Sequence, residues 1–254
     1  MASTAQSANP ATLRQEPIPC LHRPPKPPPN AFDTVITVVI GPEGSEKKYQ
    51  IYRGLLCFHS KYIDRMLNGG FKEAGLGVLH LGDVDHEDFQ NFFYWLNTGI
   101  VACGDHPKLD NHKFFAKIVK AYIFADYHAV QAYNNALLDY LCLDVEANHT
   151  LSMRGTHQIY TNITENDPLR KLLVDIITES CSFKSMTKDA AKRYHKQFLL
   201  DTVLAFNDKK IVVGAVGFER SIWTSSMRAR FSEQYHDHSD PEDRPVPDAS
   251  TNTA

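Results

Sequence analysis

The sequence predicts an α+β fold in which a short sheet and its helices fill the first half of the chain and helices alone fill the second. Three observations carry this expectation. Strand-like runs, β-branched or of period two, are confined to residues 35–81. From residue 89 onward the apolar residues recur at i, i+3, i+4 and i+7. No proline falls between residues 108 and 167, which leaves room for long helices there.

Taken in order, Val35-Ile36-Thr37-Val38-Val39-Ile40 is β-branched, Gly41-Pro42-Glu43-Gly44 is a turn signal, and Tyr49-Gln50-Ile51-Tyr52 resumes with period two. Together they predict a hairpin. Residues 55–59 and 61–67 predict two short helices in succession, stopped by Asn68-Gly69-Gly70. A third strand is expected over residues 78–81. Asp85 has the character of an N-cap, with Asp88 placed to reach back to it, and Phe89, Phe92, Phe93 and Leu96 form the apolar stripe behind them. Asn97-Thr98-Gly99 ends that helix. Phe115, Ile118, Val119, Tyr122 and Ile123 make a second stripe, and Val130, Tyr133, Leu137, Leu138 and Leu141 a third, parted at Asp126-Tyr127-His128. Asp167-Pro168 supplies a cap and a first-turn proline for the stripe Leu169, Leu172, Leu173, Ile176 and Ile177. A last long helix is expected from about Lys188 to Phe206.

The two ends read differently. Eight of the 14 prolines lie in residues 1–30, where missing donors and fixed φ favour an extended, solvated arm. P-x-x-P spacings occur at Pro24 to Pro27 and Pro25 to Pro28, the pattern read by aromatic grooves, but a linker explains them as well. Residues 233–254 carry six acidic residues and one Arg with no apolar period, the composition of a disordered tail. His236-Asp237-His238 lies inside it and is expected to be solvated rather than metal-bound.

Of the 254 residues 43% are hydrophobic and 22% charged, with a net charge of −3, so a core can form and wholly disordered or fibrous classes are excluded. No run approaches the roughly 18 apolar residues of a bilayer span, and the first residues lack the apolar stretch of a secretory signal. A cytoplasmic or nuclear location is the expectation. Five widely spaced cysteines, at 20, 57, 103, 142 and 181, predict reduced thiols rather than a disulfide framework or a metal knuckle.

Chemistry-bearing motifs are absent from the sequence: there is no H-E-x-x-H, G-x-S-x-G, phosphate loop or dinucleotide fingerprint. The acidic group Asp83, Asp85, His86, Glu87 and Asp88 sits at a helix start, where it complements the dipole. Lys188, Lys192 and Lys196 with Arg193 form the one basic stripe, and an amphipathic helix in a slightly acidic chain accounts for it without direct nucleic-acid binding. Neither catalysis nor a cofactor nor a metal is expected.

Five segments, in order, resemble one family. Phe32-Asp33-Thr34-Val35 is similar to its opening strand. The run from Tyr49 through Leu55, Leu56 and Ser60 to Tyr62-Ile63 is similar to its F-x-V-H-K-x-L-L-x-x-x-S-x-Y-F signature. Asn68-Gly69-Gly70-Phe71-Lys72-Glu73 matches an N-G-G-F-K-E turn. Leu79 to Asp85, Phe89 and Tyr94-Trp95-Leu96-Asn97-Thr98-Gly99 resemble its L-x-D-D…W-L-Y-T-G segment, and Ala121 to Tyr127 its A-D-K-Y helix end. The chain thus resembles, over residues 32–143, the BTB/POZ domains found in many fungal proteins. Tyr52 departs from the family's usual His and Ile63 from its usual Phe.

The resemblance implies a BTB/POZ fold, a short mixed sheet with helical hairpins, over residues 31–145, followed by an all-helical extension over 146–232. It implies a non-catalytic protein-interaction module. Phe71, Lys72 and Glu73 would be the triplet that docks such a module on a cullin-type ubiquitin-ligase scaffold, Phe71 filling a pocket and Glu73 making a polar rim contact. The alternative is an oligomerisation scaffold in transcription or chromatin-linked regulation, self-associating through Leu55, Leu56, Phe58 and Tyr62. A weak dimer or a monomer in exchange is expected, since the Pro-rich arm has no counterpart of the strand that some relatives swap.

Residues 211–231 fit neither the family pattern nor a tail. Ile211 to Phe218 is too short to span a membrane and too apolar to lie bare. It either packs back on the extension with Trp223 in a groove, or serves as a docking segment anchored by Phe218, Ile222 and Trp223 with Arg220, Arg228 and Arg230 as a basic rim.

Overall fold

Strand β1 (Val35–Ile40) lies between β2 (Lys47–Tyr52) and β3 (Val78–Leu81), in a three-stranded sheet of order β2-β1-β3. The computed structural model describes residues 18–20, 22, 25–69, 77–102, 111–148, 155–180, 188–209 and 220–238. β1 pairs antiparallel with β2, Val35 opposite Tyr52 and Ile40 opposite Lys47, and parallel with β3, Thr37 opposite Val78. The parallel pairing demands a crossover, and α1 (Arg53–His59) and α2 (Lys61–Asn68) lie within it. Being central, β1 buries Ile36, Val38, Val39 and Ile40. Lys47 and Lys48 are exposed on the edge strand β2, where charge discourages further pairing.

Ser60 separates α1 from α2 and ties both to a distant turn. Its hydroxyl accepts from the Ile63 amide at 3.0 Å, capping α2, and donates to the His128 carbonyl at 2.6 Å, with the residue fully buried. Ser60→Ala should leave both backbone groups unsatisfied and cost about 2 kcal/mol in chemical denaturation. At the start of α1 the chain passes so close to a preceding 3-10 turn (Pro29–Phe32) that a Cβ on Gly54 would stand 2.5 Å from Ala31 Cα.

Helix α3 (His86–Thr98) begins as the sequence predicts. Asp85 accepts from the amides of Glu87 at 2.8 Å and Asp88 at 3.3 Å, and Gly99 closes the helix with φ +72°. Its stripe meets α4 (Asn111–Tyr127) and α5 (Gln131–Asn148) in an aromatic cluster of Phe89, Phe92, Trp95, Phe124 and Tyr133.

Beyond α5 the described chain is helical: α6 (Thr156–Asn162), α7 (Pro168–Ser180), α8 (Lys188–Ala191), α9 (Lys196–Asp208) and α10 (Arg220–Tyr235). α7 is the axis of this half, buried from Leu172 to Thr178 on every side. Its N-terminal Asp167 caps Leu169 N at 2.7 Å and accepts from the Tyr122 hydroxyl of α4 at 3.1 Å, so one carboxyl joins the two halves. A single core runs through both, from Ile18 to Tyr235.

Three expectations are corrected here. The helix expected from Lys188 to Phe206 breaks at residues 192–195. His195 is extended, with φ −65° and ψ 140°, because its amide donates to Thr156 Oγ1 at 3.1 Å, its ring stacks on Tyr160, and its Nδ1 caps Gln197 N. Lys188, Lys192 and Lys196 therefore share no continuous helix face, and Lys192 pairs with Asp189. Residues 233–238 of the expected tail are ordered, since α10 runs to Tyr235, which is fully buried, and His236 bonds to Asp139 at 2.8 Å. The described part of the arm is not wholly solvated either: Ile18 is buried and Cys20 touches Ser232. Both ends gain tertiary partners that composition does not display.

Burial raises the Asp167 carboxyl from its ordinary 3.8 to about 6, against the hydrogen bonds it accepts. The folded chain therefore holds a proton that the unfolded chain has released, so this contribution to stability is full below pH ~4 and is lost as pH rises to ~6. Burial lowers His59 to about 4, which gives the opposite slope between about pH 4 and 6.5. The two offset in the wild type. Asp167→Asn keeps the cap acceptor and removes one of them, so thermal melts should show the variant gaining on wild type as pH rises from 4 to 6.

Candidate functional site

The sheet end beside the 3-10 turn exposes an apolar cluster. Because Val35 lies directly opposite Tyr52, their side chains share one face, and Phe32 stands edge-on to Tyr52 at 5.4 Å between ring centroids. All three are well exposed, Val35 by 52%. The Gly54–Ala31 approach and the bond from Arg53 N to Thr34 O at 2.8 Å hold the turn against the strands, so the cluster sits on rigid backbone.

A second cluster lies on the extension. Helix α9 buries Phe198 and Thr202 inward and turns Leu200, Val203 and Leu204 outward, Val203 being 63% exposed. The spacing i, i+3, i+4 makes these one stripe. Each half of the chain thus presents an apolar patch on a regular element, the kind of anchor that protein partners use.

The residues expected to mediate self-association divide. Leu55 and Leu56 are buried in the core, 4% and 0% exposed, so the single chain offers little contact area at either. Phe58 and Tyr62 are half-buried, Phe58 edge-on to His59 and Tyr62 against Tyr127 and His128. Val35 and Tyr52 are legible as strand residues and Phe32 through the family's opening segment, but the exposure of all three depends on the register and on where the turn ends.

Phe71, Lys72 and Glu73 lie outside the described residues. The helix that leads into them is anchored: Arg53 donates to the Leu67 carbonyl at 2.9 Å and to Asn68 Oδ1 at 2.6 Å, and Asn68 donates to Asp64 at 2.6 Å. Phe218 and the side chain of Ile222 also fall outside the described residues, while Trp223 is half-buried against the core. Two arginines expected as a rim are engaged internally, Arg228 in a fork on Glu146, with Nε and Nη2 each donating at 2.8 Å, and Arg230 on Glu179.

A cleft of about 470 Å³ opens where the start of α3 meets α4 and α6, lined by Asp83, Asp85, Asp88, Lys120, Tyr127 and His128 among others. Asp88 is raised to about 6 by burial, with Lys120 opposing, and burial lowers His128, whose Nδ1 lies 2.8 Å from the Phe124 carbonyl. Asp85 is committed to the helix cap, and Glu87 pairs with Lys117 at 2.5 Å. These groups are explained by the helix start they stabilise.

Among the described residues no helix is long and apolar enough to cross a membrane. Residues 30–121 match the family model of the BTB/POZ domain. No curated protein matches the chain. The match ends within α4, whereas the α4–α5 pair continues the packed unit to Asn148.

Proposed function

Residues 30–121 are a BTB/POZ domain, a protein-interaction module, and from that premise we propose that this chain is an adaptor with a contact face on each half. The observation that carries the reading is the exposed aliphatic stripe Leu200-Val203-Leu204 on the extension, a contact face separate from the domain. An adaptor needs two faces, one for a scaffold and one for a client. On the scaffold side, Phe71-Lys72-Glu73 is the docking triplet for a cullin-type ubiquitin-ligase scaffold, by resemblance to BTB adaptors that use a hydrophobic-x-Glu motif. On the client side, the α9 stripe offers aliphatic anchors.

Calorimetric titration of the full chain with a purified cullin N-terminal domain tests this. Wild type should bind, and Phe71→Ala should lose tenfold or more, since a hot-spot truncation costs about 2 kcal/mol. Leu204→Asp should leave scaffold binding intact. Equal binding by a folded Phe71→Ala, or none by wild type, refutes cullin docking. The exposed Phe32-Val35-Tyr52 cluster favours a second reading, an oligomerisation scaffold joined through that cluster.

A further inference from the structure

The two ends of the described chain converge on a set of metal-ligating side chains. Cys20 Sγ and one ring nitrogen each from His236 and His238 all lie within 4.8 Å of one another, although 216 and 218 residues separate the histidines from the cysteine. Cys20 Sγ stands 3.9 Å from His238 Nε2. Two donors on one tetrahedral zinc, with Zn–S about 2.3 Å and Zn–N about 2.05 Å, stand about 3.6 Å apart, so the observed spacing is within a small side-chain adjustment.

The surroundings suit a metal as well as the donors do. His236 Nε2 lies 2.8 Å from Asp139 Oδ1, and because a carboxylate accepts, Nε2 carries the proton and Nδ1 is the nitrogen with a lone pair to give. A carboxylate behind a histidine is the outer-shell pairing that orients metal-binding imidazoles. Ser232, at the end of α10, donates to Cys20 Sγ at 2.8 Å and lies 3.2 Å from His238 Nε2, so one hydroxyl stands beside both side chains. His22 stacks on His238 with 3.8 Å between centroids and covers one side of the cluster. Packing alone does not call for Cys20, which is exposed, or for His238, which is half-buried.

We propose that Cys20, His236 and His238 bind a zinc ion that clasps the start of the chain to the end of its last helix. Thiolate and imidazole are the ligands zinc prefers, and three of them leave a fourth position for water. Binding releases the thiol proton to solvent and leaves the metal's oxidation state unchanged. The proposal is independent of the scaffold and client readings above.

Cobalt(II) as the spectroscopic probe tests it on the full chain after chelator treatment. Wild type should develop a thiolate-to-cobalt charge-transfer band and tetrahedral ligand-field bands that saturate at one ion per chain, and zinc should displace them. Cys20→Ser should abolish the charge-transfer band, His236→Ala and His238→Ala should each weaken binding at least tenfold, and Asp139→Asn should weaken it about 10–100-fold. Cys57→Ser should change nothing. Zinc should raise the melting temperature of wild type but not of Cys20→Ser, whose metal-free melt should match that of wild type. The proposal is overturned if wild type shows no charge-transfer band, or if the band survives Cys20→Ser.

Discussion

Phe92→Ala should destabilise the chain by about 3–5 kcal/mol, the range for deleting a large aromatic side chain from a packed core. Phe92 is fully buried and contacts Trp95, Phe124 and Tyr133 at centroid distances of 6.0, 5.3 and 5.7 Å, so its ring joins α3 to both α4 and α5. No neighbour can collapse into the space without abandoning another ring contact. Since whole domains are stable by only about 5–15 kcal/mol, a loss of this size brings the fold near its limit. Urea denaturation followed by tryptophan fluorescence reads it directly, because Trp95 belongs to the same cluster. A loss below about 1 kcal/mol would mean that the cluster is loosely packed.

Asp175→Ala should have the next largest effect, about 3 kcal/mol, and should act on the extension. Asp175 is buried in the middle of α7, where it accepts from Lys209 Nζ at 2.7 Å and from the Tyr235 hydroxyl at 2.7 Å. One carboxylate thereby fixes the end of α9 and the end of α10. Removing it leaves the fully buried Tyr235 hydroxyl without its acceptor, and uncompensated buried polar groups are what make such substitutions costly. Lys209 keeps Glu179, so the ammonium is not stranded. Hydrogen exchange should show α10 losing protection while β1 and α3 keep theirs. Uniform loss across both halves would contradict the assignment of Asp175 to the extension.

Local signals carried the first half of the fold. The Asp85 cap, the Gly99 stop and the period-two hairpin are all written within a few residues of the elements they shape, and the structure places them accordingly. The second half obeyed signals that are not local. His195 breaks a helix because Thr156 and Tyr160, more than thirty residues away, take its amide and its ring. Tyr235 lies at the edge of an acidic stretch, and the Asp175 carboxylate that satisfies its buried hydroxyl is 60 residues away. Leu55 and Leu56 share a signature with Phe58 and Tyr62, yet the helix turns the first two into the core. Cys20 and His238 each look solvated until the fold brings the chain ends together. Composition reads such segments as tails because it counts charges and prolines, whereas burial depends on what stands opposite.

Sedimentation velocity of the full chain, alone across a concentration series and mixed with a cullin N-terminal domain, tests the adaptor reading most directly. The protein alone should be monomeric or in weak monomer–dimer exchange, and should form a one-to-one complex with the scaffold which Phe71→Ala removes. A tight self-associated species at every concentration, dispersed by Tyr52→Asp and indifferent to the scaffold, would contradict it.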